Sequence, residues 1–535
     1  MRQLLTCAGL ALLCLLAAAM GAQAQAGAAP GGDAAADGGR VLLVLPFDNR
    51  TGQPSLEWMR EAAAEILSMR FASAGFEPTS RADRVYALDH LGLPQGFQPS
   101  RASSLKLAQT LDADSIVVGS YTTDGASIVA EASLVDVNNL RMLPAVTVRG
   151  EMRDMMAVFS SLAWRLTRQL DPSFSVAEET FVAAGRSIRV DAFEQYIRGI
   201  TEPDQTERQR HLEQAVKLSP GFSPGWMALG REDYSQQEYQ QAAEAFAHVD
   251  RDGADGLEAG FYRGLSLVFS GDYPPAAEAF ADVARVLPLA EVLNNEGVAV
   301  SRQGKDGTSL FIQAAAADAS AADYHFNLAL SLKRHGNAPG ALNEMAQCLK
   351  LRPNDSEAQA LAAAWKAPAA AASDPEASAD PLERISRTFD AAAFKQAAAV
   401  LDQMDAMRLA ALGPLDRAHA LCVQARGFLD RGLLLEAERL YQSAVTADAA
   451  SAEAHAGLAQ VRLRSGNNDA ARKEAQAALE LGPSASAYLV LAQLDLAAGN
   501  LGTANTDAEN ALKLEPSNQQ AQEMLRQMPA RTGQR

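Results

Sequence analysis

Aromatic residues are scarce in this sequence, at 6% of its positions, and alanine fills many of the apolar ones. Small apolar side chains suit closely packed helices better than broad sheets, because alanine loses no side-chain entropy in a helix. Basic residues are in deficit too: 47 lysines and arginines face 65 aspartates and glutamates, a formal charge of −18. A surface this acidic repels phosphate backbones and anionic lipid, so neither nucleic acid nor a charged bilayer is an expected partner. Of four cysteines, Cys7 and Cys14 lie in the leader described next, and only Cys348 and Cys422 lie beyond it. Both fall on expected helices at packed positions, as buried free thiols. A disulfide between them, which an oxidising compartment would permit, stays open. The seven histidines form no H-E-x-x-H or Cys/His cluster, and Gly304-Lys305 has neither the upstream glycine nor the following Ser or Thr of a phosphate-binding loop. No catalytic, cofactor-binding or metal-ligating residue is therefore expected.

Long hydrophobic runs are absent except at the start. Residues 1–26 read as a secretory signal: Arg2 supplies the positive end, Leu4 to Met20 the apolar stretch, and Ala22-Gln23-Ala24 and Ala24-Gln25-Ala26 the small-residue cleavage sites. An uncleaved anchor is the alternative, though the run is short for a span. A lipid anchor at Cys14 is disfavoured by Leu13 just before it. The expected destination is the periplasm or cell envelope, with no transmembrane span after cleavage and any membrane association peripheral.

What remains is too long for one core, so two to four domains are expected. Residues 27–39 are a flexible leader. Arg40 to Phe47 (RVLLVLPF) is a buried strand ending in the turn Asp48-Asn49-Arg50-Thr51-Gly52. A helix follows over Leu56 to Ala74, stopped by Gly75, and a second covers roughly Ser103 to Leu111. Residues 114–121 form a strand, Asp124-Gly125 a hairpin turn, Ser127 to Val137 the next strand, and Arg141 to Arg149 a further one. Met152 to Leu170 is a long amphipathic helix. Residues 40–172 are thus an α/β domain, one sheet covered by helices, followed by a connector over 173–190.

The rest is helical and periodic. Gly230 and Gly264, Ala242 and Ala276, and Phe246 and Phe280 are each 34 apart. So are Gly432 and Gly466, Ala437 and Ala471, and Ala444 and Ala478, before the step shortens to 33 and reaches Gly499, Ala504 and Ala511. Small residues at A-x3-F spacing let paired helices approach, and Pro220, Pro288, Pro353, Pro483 and Pro516 fall where second helices end. This pattern resembles the tetratricopeptide-repeat (TPR) family over about Asp191 to Gln527, which implies an all-α superhelical solenoid that binds proteins. Nine repeats are expected to start near 191, 223, 257, 290, 322, 378, 418, 452 and 485. In the fourth, Ser309 and Gln313 stand where Ala and Phe belong. Block one is placed at 191–366, a linker at 367–381, block two at 382–528 with a polar capping helix over 517–528, and a tail at 529–535.

The segment RVLLVLPFDNRTGQPSLEWMREAAAEIL and the later LKLAQTLDADSIVVGSYTTDGASIVAEASLVDV are similar to TolB amino-terminal-like, FlgO-like and CsgG-like envelope domains. That resemblance implies a place in bacterial envelope assemblies and transfers no catalytic residue. A CsgG-like secretion pore would need two long amphipathic hairpins, and only Ser127 to Val148 offers one. An enzyme of another kind, with polar residues Asp48, Asn49 and Arg50 at the end of a strand, is a further alternative.

Two motifs look chemical. Gly221-Phe222-Ser223-Pro224-Gly225 matches G-x-S-x-G but follows a helix rather than a strand, so Ser223 reads as a helix N-cap. The acidic loop from Asp250 to Gly256 fails calcium spacing at Ala254 and Phe261.

The resemblance implies that the first helix of each repeat lines a groove. Its exposed stripe is expected to hold Met227, Arg231 and Tyr234, then Phe261, Leu265 and Phe269, then Phe326, Leu330, Lys333 and Arg334, with Asn327 where peptide-contacting asparagines are common. The alternative for the apolar members is packing between repeats. If they line a groove, its aromatic anchors and cationic neighbours suit a short segment carrying carboxylates. Arg231→Glu with Arg334→Glu should then weaken capture and leave the melting temperature nearly unchanged.

Overall fold

The computed structural model describes residues 41–94, 100–185, 188–366 and 381–527. The expected signal, leader and tail lie outside them, as does the expected linker up to residue 380. The chain forms two compact units, one of residues 202–403, the other of the α/β region up to residue 201 together with residues from 404 onward.

The α/β region is a mixed sheet. Its strands are β1 (Val41–Val44), β2 (Asp48–Asn49), β3 (Glu77–Pro78), β4 (Ser115–Thr123), β5 (Ser127–Asp136), β6 (Arg141–Met142) and β7 (Val146–Glu151). β1 lies between β3 and β4, parallel to both, while β5 runs antiparallel to β4, β6 and β7. Pro144 stands in the break between β6 and β7, where one longer strand was expected; proline cannot donate to a ladder. Asp124 accepts the Ser127 amide across the hairpin, and Gly125 supplies the left-handed backbone at φ 97°. Helices α1 (Met59–Ser73), α2 (Arg81–His90) and α3 (Arg101–Thr110) precede β4, and α4 (Met155–Leu170) follows β7. Leu43, Ile116 and Val135 pack with Leu88 and Leu107 of α2 and α3. The α1–α4 pair packs elsewhere on the sheet, where Phe47 meets Phe159 edge to face at 5.8 Å.

The expected connector is ordered packing. It holds a short helix, α5 (Glu178–Ala183), with Phe181 fully buried. α6 (Val190–Thr201), expected as the opening of the first repeat, instead packs on α1, with Tyr196 donating to Glu65 at 3.1 Å.

The repeat helices of the first unit are α7 (Gln205–Leu218), α8 (Ser223–Ser235), α9 (Tyr239–Ala247), α10 (Gly256–Ser270), α11 (Tyr273–Val286), α12 (Ala290–Ser301), α13 (Thr308–Ala317), α14 (Ala322–Arg334), α15 (Ala338–Leu351) and α16 (Ser356–Lys366). They pack as consecutive antiparallel pairs, a TPR-like helical array. The contact glycines sit on first helices against aromatics of second helices. A β-carbon on Gly230 would lie 2.7 Å from the Phe246 ring, and one on Gly264 2.7 Å from that of Phe280. In the fourth repeat Phe311, in the first turn of α13, and not residue 313, takes this place against Gly297. The glycines spaced by 33 or 34 further on have another duty: Gly432, Gly466 and Gly499 take positive φ at helix ends, as Gly271 does after α10.

Gly264→Leu should therefore lower the stability of the first unit by about 3 kcal/mol, since Phe280 is fully buried and cannot swing away. Hydrogen exchange should rise in α10 and α11 and in neighbouring helices together, as nearest-neighbour coupling requires. Loosening confined to one helix would contradict the repeat packing.

The sixth repeat departs from expectation. Residues 381–390 contain no helix, and α17 (Ala391–Ala410) follows them as one helix. The remaining helices are α18 (Pro414–Asp430), α19 (Leu434–Ala447), α20 (Ala452–Ser465), α21 (Asn468–Leu481), α22 (Ala485–Ala497), α23 (Leu501–Leu514) and a final α24 (Gln519–Gln527). Within the second unit, α5 rests on α19 and α20. Glu438, fully buried, accepts the Ala177 amide at 2.9 Å and pairs with Arg462 at 2.9 Å, while Thr180 donates to Ser465. Cys348 and Cys422 are free and buried, and burial pushes the Cys422 thiol up to about 12.

Candidate peptide-binding face

Helix–turn–helix repeats leave their first helices side by side, so residues one repeat apart can act on one ligand. In the first unit this face carries residues 381–389, an extended strap from the same unit. Asn327 donates to the Arg384 carbonyl at 2.7 Å and accepts the Arg384 amide at 2.7 Å. Asn295 grips Ser386 the same way, donating to its carbonyl and accepting its amide, both at 2.8 Å. Each side-chain amide thus imitates a neighbouring β-strand. The register follows from extended geometry, in which alternate residues present their backbone groups along one edge. Asn294, 33 residues before Asn327, adds a bond to the Arg384 carbonyl and accepts one from Asn327. All three asparagines are fully buried, so the strap satisfies groups that would otherwise be costly to desolvate.

Two consecutive strap side chains enter sites of opposite charge. Glu383 is buried; it accepts from Ser301 at 2.5 Å, pairs with Arg334, and lies 3.6 Å from Arg302. Arg334 also donates to the Pro381 carbonyl and Arg302 to that of Glu383. Arg384 lies over the Phe326 ring, 3.6 Å from its centre, and forks onto Asp355 at 2.5 and 2.9 Å, with Asp323 at 3.0 Å and Glu357 at 2.8 Å. Further along, Arg387 stands 5.1 Å over Phe269, and Phe389 packs on Phe261 and Tyr262. Arg231, Tyr234, Phe246 and Tyr262 of the repeats join Arg387 and Thr388 around a cavity of about 280 Å³.

Electrostatics bind the strap to pH. The Arg384 fork holds Asp355 below the usual carboxylate range. Burial opposes ionisation of Asp323 and Glu383. It is outweighed for Asp323 by Arg352 and Arg384, and for Glu383 by Ser301 and Arg334, so both also sit low. Burial likewise opposes the Arg384 charge but yields to its three carboxylates, which raise its pKa. Carboxylates depressed on folding contribute stability above their ordinary pKa and lose it as pH falls through the depressed value. The strap should stay docked above about pH 5 and loosen as pH drops below about 4. Thermal melts of the intact chain between those values should show a steeper acid loss than melts of an Arg384→Ala variant. Parallel curves would contradict this.

The stripe expected from sequence divides. Asn327, Arg334 and Phe326 touch the strap directly. Phe269 lies beneath Arg387, while Arg231 and Tyr234 line the cavity, Arg231 pairing with Glu258 at 2.7 Å. Lys333 is exposed, 5.8 Å from the Trp365 ring centre. Met227, Leu265 and Leu330 are buried core, because a first helix meets its own partner helix and its neighbours over most of its girth, while Phe261, also buried, meets the strap at Phe389. Arg334→Glu would set a second carboxylate against buried Glu383, so a fall in melting temperature is expected where the sequence suggested none. Asn294, Asn295 and the Asp355 side were missed. The 33-residue interval between two asparagines, poor helix formers inside helices, is the signal that could have found the first.

Asn49 and Ser223, two of the residues that looked chemical, make hydrogen bonds to turn and loop residues. Asn49 accepts from Thr51 and donates to Gln53 and Glu57, closing its turn. Ser223 is the first residue of α8, after Phe222 at the cap, and its hydroxyl accepts the Asp250 amide at 3.0 Å.

No family model matches the chain, and no curated protein matches it. Among solved structures, it is similar to YrrB, a TPR protein with an unusual peptide-binding site, at 14% identity over 38% of this chain and 98% of that one, with a TM-score of 0.29. MamA from Desulfovibrio magneticus aligns at 18% identity over 34% of this chain and 100% of the other, TM-score 0.27. The LpoB C-terminal domain from Salmonella enterica aligns at 21% identity over 22% and 87%, TM-score 0.19.

Proposed function

We propose that this protein is an exported, envelope-associated scaffold whose first TPR block holds extended protein segments across its first helices. The observation that carries the reading is the pair of asparagine clamps on the strap backbone. They recognise an extended chain by its amide groups, as strand addition does, and such recognition suits a holder of peptides. Export is supported by the signal-like residues 1–26. An envelope role is supported by the likeness of residues 40–170 to TolB- and FlgO-type domains, which would dock the scaffold or join copies of it. Among the described residues, no helix is long and apolar enough to cross a membrane.

Two measurements test this. The mature amino terminus should begin after Ala24 or Ala26, whereas an intact Met1 in membrane fractions would refute export by cleavage. A photo-crosslinking residue at Lys333, on a first helix, should capture partner protein in cells, and Asn295→Ala with Asn327→Ala should abolish that capture. The same residue at Glu278, exposed on the second helix α11, should capture far less. Equal capture from both positions would sink the groove reading.

A further inference from the structure

Resting on that reading, we infer that the ligand class of this face is an extended segment of another protein bearing a carboxylate and a guanidinium on consecutive residues, and that residues 381–389 are a built-in copy which the partner must displace. The asparagine clamps alone would accept any sequence, since they touch only backbone. Selectivity comes from the flanking sites. Successive side chains of an extended chain point to opposite sides, and here the two sides are chemically opposed. One is cationic, with Arg302, Arg334 and the Ser301 hydroxyl around Glu383. The other is anionic and aromatic, with Asp323, Asp355 and Glu357 around Arg384 above Phe326.

A segment carrying only a carboxylate would deprive Asp323, Asp355 and Glu357 of the Arg384 guanidinium, leaving Arg352, which pairs with Asp323 at 2.8 Å and lies 3.8 Å from Asp355, to face three carboxylates. A segment carrying only a cation would leave Arg334 and Arg302 unanswered. The planar fork of arginine fits the paired oxygens of Asp355, whereas lysine would present a single point charge. The order is fixed as well, because the clamped backbone sets which residue faces which side.

The strap is tethered, so it competes at an effective concentration on the order of mM. A partner with the same pattern therefore needs added contacts, and Arg231, Tyr234 and Tyr262, which line a cavity with Arg387 and Thr388 while the strap is docked, offer repeat-side groups for them once those two leave.

The experiment uses the full mature chain and a fluorescent peptide of residues 381–390. Glu383→Ala with Arg384→Ala opens the strap in the chain. The opened chain should bind the peptide about 100-fold more tightly than the unaltered chain, given the tether. Peptides with alanine at either charged position should bind about tenfold or more weakly. Arg384→Lys, which keeps the charge and favours folding, should open the strap part way and give intermediate binding. In the unaltered chain, excess peptide should release the Arg384 and Ser386 amides to hydrogen exchange, a readout that needs no substitution. Equal binding of all peptides would overturn the ligand class and leave the peptide-holding reading intact. Equal binding by opened and unaltered chains would overturn the built-in copy. No binding of any peptide to a folded, opened chain would overturn the peptide-holding reading itself. A concentration-dependent dimer of the unaltered chain, dissolved by the peptide, would assign the segment to exchange between copies and overturn the separate partner.

Discussion

Glu438→Ala should destabilise the second unit by about 3–5 kcal/mol, the range for breaking one side of a buried ion pair. Glu438 is fully buried and Arg462 nearly so, at 14% exposure. Burial raises the Glu438 pKa despite Arg462, so the pair is not a large net gain over an apolar core. The harm comes from one-sided removal. Alanine would strand the Arg462 guanidinium, whose Nε already has no partner, and would free the Ala177 amide that docks the 173–183 segment. Glu438→Gln retains the acceptor for Ala177 and should lose less. Glu438→Leu with Arg462→Met removes both charges and should recover much of the loss. Denaturant melts of the four chains check the order, and proteolysis should appear first within 173–183 of the alanine variant. An alanine variant as stable as the parent would show that this segment is not anchored through Glu438.

Asn327→Leu should be nearly as severe in the first unit, at about 3 kcal/mol, and its effect should centre on the strap. Leucine keeps the branched shape and heavy-atom count of asparagine, so it is the apolar replacement that disturbs packing on the first helices least. What disappears is the acceptor for the Arg384 amide, one donor to its carbonyl, and the bond to Asn294. Each buried polar group left without a partner costs about 1–3 kcal/mol. Asn294 still reaches the Arg384 carbonyl, which sets the loss below the sum of all three. Strap proteolysis should rise sharply while the α10–α11 pair keeps its protection. Uniform loosening of the whole unit would indicate that Asn327 serves the core instead.

The repeats were legible in the sequence because their packing is local and periodic. Gly264 and Phe280 belong to adjacent helices, and their types recur one repeat earlier as Gly230 and Phe246. The α/β region was legible for the same reason: β1 and β5 are bounded by turn residues, and hairpin pairing is short-range. The helix at 81–90 and the two-residue β3 escaped notice because neither carries a strong apolar period. The strap escaped for a deeper reason. Residues 381–390 (PLERISRTFD) mix charged and apolar side chains that could decorate any helix surface, and a sixth repeat was expected to start near 378. The hydrogen bonds that hold the strap come from residues 27 to 91 positions away, beyond the reach of any local pattern. The expected groove stripe shows a related limit. Spacing identifies a helix face, but not how far its neighbours cover it, so the core residues Leu265 and Leu330 stand in the expected stripe beside Asn327 and Arg334.

Amide hydrogen exchange at Arg384 and Ser386 tests the central claim most directly, since it reads the two backbone positions that the asparagines grip. In the intact chain near neutral pH both amides should be strongly protected, and Asn295→Ala with Asn327→Ala should return them to the rate of an unstructured peptide while the helices of the array stay protected. Exchange at the unstructured rate in the intact chain would contradict the account, because residues 381–389 would then not be held on this face.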